Sequence, residues 1–301
     1  MSRFRLRWDI DSRDEGSLIK EFLKEHEISK AALTDIKFKG GYISVNELEV
    51  NVRYPLKMGD KLEVIFPEEV PSEGVKGENI PLTILYEDEY LLIVVKPAGM
   101  STIPSREHPT GSLANGLVGY YIKNQIQATS HIVTRLDRDT SGIVLIAKHR
   151  HVHHLFSKQQ KSGRVNRTYE ALVEGTFSEI EGRVVQPIGR KADSIIEREV
   201  RPDGQYASTR YKVLSQFPNH AHVELKLDTG RTHQIRVHMS YLGHPLLGDD
   251  LYGGSVELIN RQALHCREIS FYHPFLKKSF SFTAALPMDM QQLLLEDRED
   301  A

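Results

Sequence analysis

The chain is 301 residues long, which is enough for about two domains of ordinary size. Its formal net charge is −2, and 40% of its residues are hydrophobic, so it is not a disordered polar chain. The longest apolar runs, 91–95 and 143–147, are far shorter than the ~20 residues that span a bilayer, and no membrane partner is expected. No apolar signal segment follows Met1, and the single cysteine, Cys266, cannot form an intramolecular disulfide, so we expect a reduced, cytoplasmic protein. Taken as a sum, the near-neutral charge argues against a nucleic-acid partner.

Residues 1–66 are predicted to form a small α/β unit, followed by a linker. Leu18, Phe22 and Leu23 recur at helical spacing, and Ser29 occupies the position of an N-cap for a second helix. Alternating apolar residues between 43 and 66 then predict short, half-buried strands. The composition of 67–80, PEEVPSEGVKGENI, is typical of a linker.

Residues 81–290 are predicted to form a second, larger α+β domain with a mixed, mainly antiparallel sheet. Three helices are expected. One begins near residue 112, one follows the predicted strand 143–147 and ends near residue 160, and one covers 233–242. The predicted strands do not alternate regularly with these helices, and they lie at 84–86, 91–95, 143–147, 169–173, 207–213, 223–227, 269–272 and 279–282. The remaining residues, 291–301, form a predicted acidic, solvated tail.

The segment 134–142, TRLDRDTSG, lies directly before a predicted buried strand. It places Asp137 between Arg135 and Arg138 in a turn that contains Ser and Gly. Adjacent cations favour the ionised carboxylate, which suits a nucleophile or a group that stabilises positive charge. The alternative is a surface turn with local ion pairs, and the local sequence favours neither.

A second polar segment, 229–238 (TGRTHQIRVH), places a glycine turn before an amphipathic helix. The first turns of this helix carry Arg231, His233, Gln234 and Arg236. Backbone N–H groups and arginines at a helix start can bind phosphate, and Arg236 could equally reach a carboxylate elsewhere in the fold. A solvated basic helix face explains the same pattern.

The histidines of 148–154, KHRHVHH, have the i,i+3 and i,i+4 spacing of metal ligands. The run contains neither Cys nor a carboxylate to complete a ligand set, so we predict a polar helix face and no metal site. The chain also lacks the glycine-rich loops GxxxxGK[ST] and GxGxxG, so no nucleotide cofactor is predicted.

Several segments together resemble the RluA-type pseudouridine synthases, which isomerise uridine in ribosomal or transfer RNA. The matching segments follow one another in the order expected for the family: VVKPAGM (94–100), RLDRDTSG (135–142), RTYEALVEG (167–175), TGRTHQIRVHMSYLGHPLLGD (229–249) and, more weakly, HCREISFYHP (265–274). The N-terminal unit resembles the alpha-L RNA-binding module that often precedes this catalytic domain.

The resemblance implies a role for several residues, position by position. Asp137 matches the catalytic aspartate, Tyr169 the tyrosine that packs on the target base, and Arg236 the basic residue that pairs with the aspartate. Arg135 is implied to help displace the flipped base, and Asp139 matches no required position. The reaction breaks the N1–C1′ bond, turns the uracil and joins C5 to C1′, so no redox cofactor or metal is implied. The partner is RNA, with large-subunit rRNA favoured over tRNA, and a monomer is the default state.

Two other classes of protein fit parts of the same pattern. One is a non-catalytic RNA-binding or ribosome-assembly protein, which an intact catalytic trio disfavours. The other is a nucleoside or glycoside hydrolase that uses Asp137 and Asp139 as a carboxylate pair, although two residues on one turn are poorly placed to enclose a sugar. The distribution of charge favours RNA, because 131–170 holds eight Lys or Arg and three acidic residues, a net charge of +5.

Overall fold

The structure is a computed structural model that describes residues 3–69 and 74–299. Residues 70–73 of the predicted linker, and the side chains from 296 onward in the predicted acidic tail, lie outside the described residues. No helix in the described part of the chain is long and apolar enough to cross a membrane.

The N-terminal unit packs two helices against a four-stranded antiparallel sheet with the strand order β1-β4-β2-β3. Ser29 caps the second helix as predicted, because its hydroxyl accepts a hydrogen bond from the N–H of Ala32 at 3.1 Å. Strand β1 was not predicted, although Phe4, Leu6 and Trp8 alternate with arginines along it. The elements of the unit are β1 (Arg5–Asp9), α1 (Ile19–Glu25), α2 (Lys30–Phe38), β2 (Tyr42–Val45), β3 (Leu48–Glu49) and β4 (Lys61–Ile65).

The larger part of the chain is built on a ten-stranded sheet that forms one continuous core with its helices. Its elements are β5 (Thr83–Glu87), β6 (Leu91–Lys96), α3 (Leu113–Lys123), β7 (His131–Ile132), β8 (Ser141–Ala147), α4 (Arg150–Lys161), β9 (Asn166–Glu174), β10 (Glu181–Val185), β11 (Ile188–Arg190), β12 (Arg198–Val200), β13 (Ser208–Gln216), β14 (His220–Leu227), α5 (Gln234–Tyr241), a short 3-10 helix (Asp250–Tyr252), β15 (Leu264–His273), β16 (Lys278–Thr283) and α6 (Met288–Glu299).

The sheet has the strand order β10-β13-β14-β9-β15-β8-β6-β5, with β16 paired to β15 and β7 to β8. Every pairing in it is antiparallel except that of β15 with β8, which confirms the predicted mixed, mainly antiparallel class. Strand β15 lies between β8 and β9, and it pairs with the start of β8 and with the middle of β9. Strands β11 and β12 form a separate hairpin.

Helix α6 differs from the prediction of a solvated tail from residue 291. It runs through position 290, and its Met290 and Leu293 are buried against Leu172 and Leu247. Acidic residues dominate the last part of this segment, and this composition led to the prediction of a solvated tail. The apolar residues that pack the first turns of α6 against the core lie before them in the sequence.

The N-terminal unit packs against α4, and the histidines before and within that helix lie between the two parts. Phe4 stacks on His149 with ring centroids 4.1 Å apart, and Phe66 stacks on His151 at 5.5 Å. The prediction of a polar helix face is therefore wrong for these two histidines, because they are buried and aromatic rings from the N-terminal unit cover them. Burial lowers the pKa of His149 to about 4 and that of His151 to about 3, so both are neutral at pH 7.

Ion pairs at the edge of this contact use part of the basic charge counted in 131–170. Arg150 lies 2.7 Å from Asp35, and Lys158 lies 2.6 Å from Glu27. Both carboxylates belong to the N-terminal unit. The cations of α4 are therefore partly neutralised, and the free positive charge lies elsewhere, around the cavity described next.

Candidate active site

A cavity of about 630 Å³ opens where the loop before β8 faces the start of α5 and the middle of β9. Its walls include Asp137, Tyr169, His233 and Arg236, so residues separated along the chain share one space. The volume is within the range of ordinary small-molecule pockets and is sufficient for a nucleotide. Asp139 does not line this cavity, which argues against the carboxylate pair of a hydrolase.

The loop that carries Asp137 is fixed on both sides of this residue. On one side, the Thr102 hydroxyl donates to the carbonyl of Leu136 at 2.6 Å and accepts from its N–H at 3.2 Å. On the other side, the Lys96 ammonium donates to the carbonyl of Arg138 at 2.9 Å. These bonds fix the backbone on both sides of Asp137. Its side chain, which is 33% exposed, lines the cavity.

Lys96 is fully buried beneath the loop and was not assigned a role from the sequence. Its three N–H groups are satisfied by the carbonyls of Pro97, Met100 and Arg138. Burial lowers the pKa of Lys96 to about 7, against the charges of Asp139 and Asp137, which raise it. We interpret Lys96 as a positioning residue that ties the KPAGM segment to the loop of Asp137.

Gly142, at the end of the same loop, allows β8 to approach β15. Its φ of +121° is one that side-chain-bearing residues rarely adopt, and a Cβ atom there would lie 2.4 Å from the carbonyl oxygen of Cys266. The register pairs Cys266 with Gly142 on β8 and with Tyr169 on β9. Close packing at Gly142 therefore fixes the distance between the loop of Asp137 and the strand of Tyr169.

Arg236 projects from α5 and lies between two carboxylates. It donates to Asp249 through Nε at 2.7 Å and Nη2 at 2.6 Å, and its Nη1 lies 3.5 Å from Asp137 Oδ2. The Tyr252 ring covers the guanidinium at 4.8 Å. The predicted pairing of Arg236 with Asp137 therefore exists as the longer of two contacts. Asp249, with a fully buried side chain, is the partner that holds Arg236 in place.

His233 lies beside the same carboxylate, with Nε2 3.8 Å from Asp137 Oδ2. Its Nδ1 is 2.8 Å from the hydroxyl of Tyr252, and its φ of 55° places it in the left-handed region at the start of α5. Burial lowers the pKa of His233, so the imidazole is neutral at pH 7. It can donate a hydrogen bond to Asp137 or to a ligand without adding a charge.

Tyr169 lines the same cavity as Asp137. The residue is 4% exposed, and its hydroxyl accepts a hydrogen bond from Arg167 Nη1 at 3.0 Å. Burial raises the pKa of Tyr169 far above its usual range, so the phenol stays protonated. A flat, neutral ring beside a carboxylate is suited to stacking against a nucleobase.

The cavity has a marked excess of positive charge. Four of its arginines make no ion pair with a carboxylate of residues 3–69 or 74–299, and these are Arg135, Arg138, Arg167 and Arg231. Arg135 and Arg231 are exposed at the cavity rim, where a phosphate backbone could reach them. These four arginines therefore concentrate positive charge in one cavity.

Gln234, predicted to bind substrate, lines the cavity, but its polar atoms are bonded within the protein. Its carboxamide oxygen accepts from Thr229 at 2.8 Å and from the Arg231 N–H at 3.0 Å. Its NH₂ group donates to Ser208 and Thr209, both at 3.0 Å. Since its polar atoms are used within the protein and the residue is 2% exposed, Gln234 positions the turn of Arg231.

The most important side chain that sequence reasoning left without a role is Asp249. It is the last residue of the segment 229–249, but its spacing from Arg236 follows no local pattern and only the fold brings the two together. No group of three His, Cys, Asp or Glu residues that could hold a metal ion occurs in the described ranges.

Comparison with known proteins places these residues in one family. A sequence profile described as RNA pseudouridylate synthase matches residues 90–241. The uncharacterized RNA pseudouridine synthase YjbO of Bacillus subtilis is 54% identical over 276 residues, or 92% of this chain and 98% of that protein. Ribosomal large subunit pseudouridine synthase D of Yersinia pestis is 34% identical over 266 residues, or 84% of this chain and 82% of that protein.

Among solved structures, human RNA pseudouridylate synthase domain containing 4 shares the fold. Its TM-score is 0.59 at 24% identity, and the match covers 72% of this chain and 93% of that one. The fold and the matched residues together define an isomerase that acts on RNA. The chain belongs to the RNA pseudouridylate synthase family, which confirms the resemblance seen in its motifs.

Proposed function

We propose that the protein isomerises a uridine of large-subunit rRNA, with Asp137 as the group that acts on C1′ of the flipped nucleotide. The observation that carries this proposal is the position of Asp137 in the cavity. Its carboxylate shares the cavity with Tyr169 and lies 3.5 Å from Arg236 and 3.8 Å from His233. The names of several relatives, among them the enzymes of Yersinia pestis and Pseudomonas aeruginosa, specify the large ribosomal subunit and support this choice over tRNA.

The chemistry requires a carboxylate, because the bond that breaks is glycosidic. As the N1–C1′ bond breaks, its electron pair leaves with the uracil and positive charge develops at C1′. An ionised Asp137 attacks C1′, stabilises the positive charge there, or takes the C2′ proton to form a neutral glycal and returns that proton to C2′ as C5 bonds to C1′. The uracil then turns, C5 bonds to C1′, and the proton on C5 is lost as N1 gains one, so the net change is an isomerisation.

The other predicted residues have roles that follow from their places. Arg236 orients the Asp137 carboxylate, and Asp249 keeps Arg236 from moving out of the site. Tyr169 holds the freed uracil by stacking, which limits its loss before C5 reaches C1′. Arg135 is free and exposed at the rim, where it can fill the gap that the flipped uridine leaves in the RNA.

Arg231 is proposed to bind the RNA backbone at the other side of the rim, and His233 to donate to the nucleotide beside Asp137. The N-terminal unit remains a proposed alpha-L RNA-binding module. We propose that the protein acts as a monomer in the cytoplasm, where ribosomal RNA is modified.

Pseudouridine mapping of total RNA from cells with and without the gene tests the proposed substrate. We expect one or a few pseudouridines to disappear from large-subunit rRNA, with tRNA unchanged. Loss confined to tRNA would refute the choice of RNA while leaving the reaction intact. Free uracil released from RNA would instead indicate a hydrolase.

A further inference from the structure

A second cavity, of about 360 Å³, lies directly beside the first. One wall is the hairpin of β11 and β12, another is the turn 203–205, and the third is the segment 230–232, which also lines the first cavity. Gly204 lets this turn lie against the hairpin, because a Cβ atom there would be 2.6 Å from the backbone of Ile188. The two cavities therefore share a wall.

Positive charge in the second cavity comes from three arginines: Arg190, Arg198 and Arg231. None of them forms an ion pair with a carboxylate in the parts of the chain that the structure describes. Arg190 is exposed, and no side-chain hydrogen bond is formed by it within those parts. Within those parts, the guanidinium groups of Arg198 and Arg231 donate only to backbone carbonyls, those of Ile196, Glu197 and Tyr206.

Three of the four acidic residues in 188–204 are paired with cations other than Arg190 and Arg198. Arg201 makes a two-pronged contact with Asp203, the one carboxylate in the cavity lining, and lies 3.5 Å from Glu199. Lys191 lies 2.6 Å from Glu197. The segment 188–204 contains as many acidic as basic residues, yet this pairing leaves Arg190 and Arg198 free on the side that faces the cavity.

The position of this site relative to Asp137 limits what it can bind. Arg231 and Thr232 contribute to both cavities, and the charge of Arg198 acts on His233, whose ring lies 3.8 Å from Asp137. When a uridine turns out of its strand into the first cavity, the phosphates on either side of it remain at the rim. Guanidinium groups bind such phosphates with two parallel hydrogen bonds.

We propose that the second cavity is a phosphate subsite, in which Arg190 and Arg198 bind the RNA backbone next to the flipped uridine. This inference rests on the proposed placement of that uridine at Asp137. The hairpin of β11 and β12 thereby fixes the direction in which the strand leaves the active site. The proposal assigns the hairpin a substrate-binding role that the motifs of the chain did not indicate.

The test measures the salt dependence of RNA binding. The probe is a single-stranded oligouridylate of about ten nucleotides, within the usual length range of single-strand sites. Each lost phosphate contact lowers the slope of log K against log salt concentration by about 0.7 for a single strand. We expect this decrease for Arg190→Gln, and about twice as much when Arg198→Gln is added.

Two further variants separate charge from folding. Lys123→Gln removes one positive charge from an exposed position at the end of α3, outside both cavities, and is expected to leave the slope unchanged. Arg190→Lys keeps the charge and is expected to retain the slope with a weaker affinity. An unchanged slope in a folded Arg190→Gln protein, or a slope lowered equally by Lys123→Gln, would overturn the proposal.

Failure of the subsite and failure of the proposed function give different results. Asp137→Asn should bind the oligonucleotide with the wild-type slope while forming no pseudouridine. If Arg190→Gln keeps the wild-type slope and wild-type protein modifies rRNA, only the subsite is wrong. If wild-type protein modifies no RNA, the proposed function is wrong whatever the slope.

Discussion

Arg236 is placed to serve two carboxylates that differ in their exposure to solvent. Asp249 is fully buried and takes two hydrogen bonds, whereas Asp137 is one-third exposed and takes a single longer contact at 3.5 Å. The two carboxylates thereby have different relations to Arg236. Asp249 sets the position of the guanidinium, and the remaining N–H groups face the carboxylate that is proposed to act on the sugar.

Replacement of Arg236 by Ala is expected to reduce both activity and stability. It leaves Asp249 buried without its cation, which typically costs about 3–5 kcal/mol. Arg7→Ala is the control, because Arg7 pairs with Glu63 at an exposed position, where a pair contributes ~0–1 kcal/mol. Urea unfolding measures the stability, and pseudouridine formation is measured under conditions in which both variants remain folded. Both measurements should show the large loss only for Arg236→Ala. Comparable losses for the two variants would refute the buried pairing.

Tyr169 is expected to contribute mainly through its ring. Tyr169→Phe removes the hydroxyl that accepts from Arg167 but keeps the stacking surface, so its rate should stay within about tenfold of wild type. Tyr169→Ala removes the surface, and a lost base stack costs about 1–3 kcal/mol, or roughly 5- to 150-fold. Single-turnover rates of pseudouridine formation measure both effects. If the Phe variant were as impaired as the Ala variant, the hydroxyl would be the essential group.

At the level of strands and loops, the geometry of the site depends on the parallel contact between β8 and β15. Gly142 is the closest point of that contact, and Asp137 lies in the loop just before it. A change in the spacing of these strands would move Asp137 relative to Tyr169.

Gly142→Ala is therefore expected to destabilise the fold and displace the loop. A Cβ atom would meet backbone atoms of Cys266, which cannot turn away as a side chain can. Gly163→Ala is the matched control, because Gly163 also has a positive φ, +69°, but no atom within 4 Å of its added Cβ. Its cost should be the conformational one alone, about 1–2 kcal/mol. Denaturant titration should give a clearly larger loss for Gly142→Ala, and equal losses would show that crowding there is unimportant.

Long apolar runs made the central strands predictable, and short or polar elements were not. Strands β6 and β8 lie in the two longest such runs, whereas β11 and β12 have three residues each and no apolar period. Helix α6 was hidden by its acidic second half. In the site, the flanking arginines made Asp137 a candidate, and only the family resemblance favoured a catalytic role for it. Asp249 and Lys96 act through contacts between distant parts of the chain, which local sequence does not encode.

For the molecule as a whole, the separation of charges matters more than their sum. The N-terminal unit directs carboxylates toward α4, while six arginines of the two cavities make no ion pair in the parts of the chain that the structure describes: Arg135, Arg138, Arg167, Arg190, Arg198 and Arg231. A chain with a formal charge of −2 thus concentrates positive charge around these two cavities.

The junction between the two parts predicts a loss of stability in mild acid. Burial lowers the pKa of His151 to about 3 from an ordinary value of 6.5, so the unfolded chain takes up a proton that the folded chain does not. Stability should therefore decrease as the pH falls below about 6.5, by up to about 1.4 kcal/mol per pH unit for this residue. His149, with a pKa of about 4, acts in the same direction.

His151→Phe is expected to make the free energy of unfolding less dependent on pH, because it removes the one proton that the unfolded chain binds at His151. A phenylalanine fits among the rings of Phe66 and Phe275 and does not titrate. The exposed His108, replaced by Gln, is the control and should leave the dependence as in wild type. Urea unfolding between about pH 4 and pH 7 measures the slopes. The same slope in His151→Phe and wild type would contradict the assignment of a neutral, buried His151.

The most direct test of the proposed mechanism compares Asp137→Asn with Asp139→Asn on unmodified large-subunit rRNA. Both changes remove one negative charge from the same loop, but only Asp137 lines the cavity. Pseudouridine should form with wild-type protein and with Asp139→Asn, and it should fall to background with Asp137→Asn although that variant still binds RNA. Pseudouridine formed at the wild-type rate by Asp137→Asn would contradict the account.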